Sequence, residues 1–133
     1  MADMTGGCLC GRVRYMARDA SQRGHICHCR DCQRYTGSAF ATGMVFPADA
    51  IAIEGELQSF TVAGTSGNAV HRLFCPHCGS GVLVRGDIRK DVVVLQVGTL
   101  DDPSGYKPTA EIYTGSALPW VHAADGFPSR AKP

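Results

Sequence analysis

The sequence predicts a mostly β single domain of short strands, on three observations. Apolar residues recur at a spacing of two in several runs of four to eight residues, the period of a strand with one buried face. Sixteen glycines and seven prolines are spread along the chain and punctuate those runs as turns. Helical periodicity is weak throughout.

The elements follow in order. Residues 11–15 read as a strand, with Val13 and Tyr15 on one face and Arg12 and Arg14 facing solvent. Residues 30–35 carry a turn or two of helix. Residues 39–46 alternate large side chains (Phe40, Met44, Phe46) with small ones (Ala39, Ala41, Gly43), and Pro47 ends the run. Ile51 with Ile53, and Phe60 with Val62, mark two further short strands. Residues 69–74 and 81–84 flank a cysteine pair, and residues 92–97 form the strongest core strand. Ile112 and Tyr113 suggest a late short strand, and a helical piece is expected near Pro119 and Trp120. Trp120 and Phe40 are expected in the core.

The length of 133 residues suits one domain, expected over residues 5–122 with a C-terminal tail over 123–133. A hydrophobic fraction of 44% can build a core and excludes wholesale disorder. The formal net charge is +1, which argues against a nucleic-acid binder that neutralises phosphates and against a membrane-surface protein held by charge. The longest apolar run, Val92 to Leu95, is far too short to span a bilayer. The N-terminus shows no basic region followed by an apolar one, so a cytoplasmic protein is expected. In that reducing compartment, clustered cysteines serve as metal ligands or catalytic thiols more often than as disulfides.

Seven cysteines fall into three groups and none lies outside them: Cys8 and Cys10; Cys27, Cys29 and Cys32; Cys75 and Cys78. Scattered core cysteines do not arrange themselves so. In extended chain, residues two apart share a face, so Cys8 and Cys10 reach one ion while Leu9 points away. The same holds for Cys27 and Cys29, with His28 opposite, and one turn of chain brings Cys32 back to them. Cys75 and Cys78 have the spacing of a metal knuckle, with Gly79 supplying the permissive backbone.

Two pairs close a four-thiolate tetrahedron, the pattern of structural zinc, and the group of three leaves a fourth position open. Cys8, Cys10, Cys75 and Cys78 are thus candidates for a structural zinc, and Cys27, Cys29 and Cys32 for a functional one. Thiolate-rich tetrahedral sites select zinc over hard cations. An iron–sulfur cluster is a weaker rival, and a thioredoxin-like redox pair lacks its βαβ context. With seven thiolates and two zinc ions in place the net charge becomes about −2.

The sequence resembles the glutathione-dependent formaldehyde-activating enzyme family, which includes centromere-protein-V-like domains. The matching stretches are GCLCGRVRY at 7–15, CHCRDCQ at 27–33, GSAF at 37–40, FCPHCGS at 74–80 and GTLD at 98–101. The resemblance implies a β-tent-like fold of short stacked antiparallel sheets with two zinc ions, divided four plus three. It also implies condensation of formaldehyde with glutathione to S-hydroxymethylglutathione, a carbon–sulfur lyase reaction in reverse.

Zinc with a free position lowers the pKa of a thiol, and the thiolate attacks an aldehyde carbonyl. Three thiolate donors weaken the Lewis acidity of the ion, which favours thiol chemistry over hydrolysis. Candidate substrate contacts are Arg30 and Arg34 for a glutathione carboxylate, with Gln33 and Ser38 as polar support. His28 is assigned an outer-face or supporting position and His77 an exposed turn. His25, His71 and His122 show no partner in the sequence. The alternatives to an enzyme of this kind are a non-catalytic zinc-binding interaction module and a reversible zinc or thiol sensor.

Overall fold

A computed structural model describes residues 3–18, 23–122 and 128–131. Among these, two sheets form. The smaller has the order β1 (Met4–Gly7), β2 (Arg14–Ala17) and β5 (Ile51–Glu54), all antiparallel. The larger runs β10 (Ala110–Ile112), β3 (Gly24–Cys27), β4 (Ala41–Pro47), β9 (Val92–Gln96), β8 (Gly81–Gly86), β7 (Ala69–Phe74) and β6 (Gln58–Ala63). Only β10 and β3 pair in parallel in this sheet. One helix, α1 (Arg30–Thr36), follows β3. The mostly β expectation and its stacked sheets hold. No described helix is long and apolar enough to cross a membrane.

The core lies between the sheets. Tyr15 and Ala17 of the small sheet, with Val13 just before it, pack into one core with Met44, Phe46, Leu83, Val93 and Leu95 of the large one. Arg12, Arg14 and Met16 alternate outward, as the period-two pattern requires. Phe46 and Leu95 are completely buried, each contributing about 2–3 kcal/mol of transfer free energy. Tyr15 reaches across the layer and donates its hydroxyl to Thr99 Oγ1 at 2.8 Å.

Several expectations need correction. The strand expected at 11–15 is β2 and begins at Arg14, because Gly11 turns the chain with φ +83°. β1 and β3 carry no apolar alternation and were not expected. The run at 39–46 starts pairing only at Ala41, and β4 is buried on both faces because it is central in its sheet. The late strand ends at Ile112, since Tyr113 adopts φ +55°. Near Pro119 the chain makes a turn rather than a helical piece, and Trp120 is 75% exposed instead of in the core. Within the stretch expected as a tail, Ser129 bridges to Glu111, and Arg130 exchanges backbone hydrogen bonds with Glu111 and Thr114. Residues 123–127 and 132–133 of that tail lie outside the described residues.

Candidate metal centres

Two turns at one end of the core bring four thiols together. Cys8 and Cys10 sit in the turn between β1 and β2, closed by Gly11 N–H donating to the Cys8 carbonyl at 3.2 Å. Cys75 and Cys78 sit in the turn after β7, closed by Gly79 N–H donating to the Cys75 carbonyl at 2.8 Å. Gly79 has φ +81°, as the knuckle reading requires. Ser80 ties the two turns, its hydroxyl accepting from Leu9 N–H at 3.0 Å and lying 3.2 Å from Cys78 Sγ. The first pair lies in a turn rather than extended chain, yet Leu9 still points away into solvent.

The second set forms where β3 runs into α1. Cys27 ends the strand, and Cys29 caps the helix by accepting a hydrogen bond from Cys32 N–H at 3.2 Å. Cys32, in the first helical turn, comes to 3.5 Å from Cys27 Sγ. The helix then ends on Gly37, whose left-handed φ of +66° lets its N–H reach the Gln33 carbonyl. Tyr35 fixes α1 to the sheet by donating to the Leu73 carbonyl at 2.7 Å. Its ring passes so close to Gly81 that a Cβ there would meet it at 2.6 Å.

Both sets fit a metal by donor chemistry and spacing. Within each set the sulfurs all lie within 4.8 Å of one another. A tetrahedron with metal–sulfur bonds near 2.3 Å has sulfur–sulfur edges of about 3.8 Å. Cys8 to Cys10 is 3.5 Å, and Cys10 to Cys75 is 3.8 Å. Hydrogen bonds from Cys27 and then Cys32 pull the Cys29 thiol down to about 2, and the same interaction pushes Cys27 up. Ser80 holds Cys78 down at about 5 through its hydroxyl and its backbone N–H. A metal bound at either set would displace the protons of the thiols that ligate it.

His28 points away from the thiols, as alternation predicts, but it is buried rather than on an outer face. Its Nε2 meets Glu111 Oε1 at 2.5 Å, and its ring stacks at a tilt on Phe40 with centroids 5.8 Å apart. Glu111 escaped the sequence reading because its partner lies far along the chain. His77 is exposed. His71 bridges Thr61 and Asp87, and burial lowers the pKa of His25.

Arg30, Gln33, Arg34 and Ser38 line one shallow hollow on α1, together with Trp120. Gln33 is buried there and internally engaged: its amide nitrogen donates to the His28 carbonyl at 2.8 Å and its oxygen accepts from Arg30. Arg34 and Ser38 are exposed.

Comparison with known proteins extends this picture. No curated protein matches the sequence. A crystal structure of a Rhodobacter sphaeroides protein is similar in fold, with a TM-score of 0.59 at 22% identity, covering 79% of this chain and 92% of that one. The profile of the glutathione-dependent formaldehyde-activating enzymes matches residues 3–116, a span that holds all seven cysteines. The chain therefore belongs to the glutathione-dependent formaldehyde-activating enzyme family.

Proposed function

We propose that this protein is a zinc-dependent enzyme of the carbon–sulfur lyase type, acting on a glutathione–aldehyde adduct such as S-hydroxymethylglutathione or on that of another thiol. The observation that carries the reading is the three-thiol set: Cys27, Cys29 and Cys32 converge, and no fourth Cys, His, Asp or Glu among the described residues joins them. Three donors fit zinc with a position left for a substrate. Cys8, Cys10, Cys75 and Cys78 would hold a second zinc with a purely structural role.

Zinc in the three-thiol set would supply a position at which an incoming thiol is held as its thiolate. The chain's own residues do the rest. Cys29 and Cys32 are fixed by the first turn of α1, and Cys27 by its strand, so the three donors keep their geometry without reorganisation. Arg30 and Arg34 present cationic groups on the adjoining helix surface for the glutathione carboxylates, with Ser38 offering a hydroxyl nearby. Gln33 positions Arg30 through its oxygen. In the synthetic direction the thiol sulfur bonds to the aldehyde carbon, and the carbonyl oxygen takes up the proton that the thiol gave, so no proton is consumed overall.

Titrating glutathione into cobalt-substituted protein tests this. The visible spectrum of one of two cobalt ions changes if glutathione enters the three-thiol site. An unchanged spectrum at saturating glutathione overturns the proposal. Metal content gives a parallel check: two zinc ions per chain, one removed by a mild chelator.

A further inference from the structure

A second hollow, of about 490 Å³, lies between α1 and the β6–β7 hairpin, on the other side of Arg34 from the one lined by Ser38. We infer that it is a binding site for a small monoanion with an apolar body, an aryl or branched-alkyl carboxylate. The inference is independent of what the thiol sets hold.

The hairpin register builds one wall. Phe60 pairs with Arg72, and Gln58 with Phe74, so Phe60, Val62, Arg72 and Phe74 project from one face of the sheet into the hollow. Phe60 is 64% exposed, on an edge strand where nothing of the described chain covers it. A phenyl ring left in water beside two more apolar side chains is what a flat apolar ligand covers.

The charged groups set the ligand's polarity. Arg72 Nε is buried and has no hydrogen-bond partner among the described residues. A buried donor left unpaired is costly, and a ligand acceptor would relieve that cost. Arg34 faces the same space from α1, and Asp31 is the one acid in the lining. Two guanidinium groups against one carboxylate leave a single excess positive charge. That balance matches one ligand carboxylate, and Asp31 repels a second. The planar guanidinium of Arg72 offers the two-pronged geometry a carboxylate takes.

Calorimetric titration of the purified full-length protein with phenylacetate, and separately with phenylacetamide, tests the site. Phenylacetate binds saturably, and the amide binds at least about tenfold more weakly, the worth of one charge-assisted hydrogen bond. Arg72→Gln brings the acid down to the affinity of the amide, and Arg72→Lys falls between. Phe60→Ser, at an exposed position that leaves the fold intact, weakens both ligands severalfold. Equal affinity of wild-type protein for acid and amide overturns the inference without recourse to any variant. So does the absence of saturable phenylacetate binding, or an unchanged affinity in Phe60→Ser.

Discussion

His28 Nε2 lies 2.5 Å from Glu111 Oε1, a contact across 83 residues of chain between β10 and the segment that leads from β3 into α1 through the three-thiol set. His28 is 1% exposed and its Nδ1 has no partner among the described residues. Glu111→Ala therefore leaves both ring nitrogens buried and unsatisfied. The expected loss is about 1–3 kcal/mol in chemical denaturation. Glu111→Gln retains an acceptor for Nε2 and costs less. Equal stability of the alanine variant and the parent would contradict this account of the contact.

The four-thiol and three-thiol sets make opposite predictions when one ligand is removed. Cys75 is buried and would be a ligand of the zinc proposed to join the two turns, so Cys75→Ala is expected to lose that metal and unfold much of the domain. Cys32 lies on a helix already anchored through Tyr35 and Gln33. On the proposed function, Cys32→Ser is expected to stay folded, to hold one zinc in place of two, and to lose activity. Metal content together with circular dichroism reads both outcomes. Unfolding of both variants to the same extent sinks the division into structural and functional sites.

Asp101 supplies a pH dependence. Arg14 donates to both of its oxygens, at 2.9 and 2.5 Å, and Thr5 adds a third hydrogen bond. The Arg14 contact, then Thr5, lowers its pKa from 3.8 to about 2. A carboxylate with a depressed folded-state pKa stabilises above the unfolded value and loses that stabilisation as pH falls through the folded one. Asp101→Asn is thus less stable than the parent at pH above about 4, and the gap closes towards pH 2. Comparing variant with parent at each pH cancels thiol protonation, which both share. Added salt narrows the gap as well, since the pair is exposed. A gap that widens on acidification is the contrary result.

The parts of the fold legible in the sequence are those where one residue type has one physical consequence. The three-thiol set was legible because its spacing brings the sulfurs together locally, whereas joining Cys8 and Cys10 to Cys75 and Cys78, 65 residues on, rested on two pairs being needed to close a four-thiolate tetrahedron. The 69–74 strand was legible from its end points, and Val13 and Tyr15 from their alternation. β3 was hidden because His25, Cys27 and Gly24 carry no apolar period, and its place is set by β4 and β10 on either side. Trp120 reads as apolar and therefore buried, but it stands in a surface turn. Glu111 and Asp101 were silent because each depends on a partner more than eighty residues away.

β1 was hidden for a different reason, and that reason is testable. Its sequence ends in two glycines, which weaken a strand by intrinsic preference. The fold overrides this because Gly6 is pressed against its neighbours: a Cβ there would stand 2.3 Å from the Thr99 carbonyl oxygen and 2.3 Å from the Tyr15 hydroxyl. The first is backbone and the second is tied to Thr99, so neither yields cheaply. Gly6→Ala is expected to destabilise by about 1–3 kcal/mol, the cost of overpacking a filled space. Gly98, just before Thr99, has nothing within 4 Å of its added Cβ. Gly98→Ala therefore stays within about 0.5 kcal/mol of the parent. Urea midpoints of the two variants separate a packing requirement from a general intolerance of that segment, and equal losses would refute the packing account.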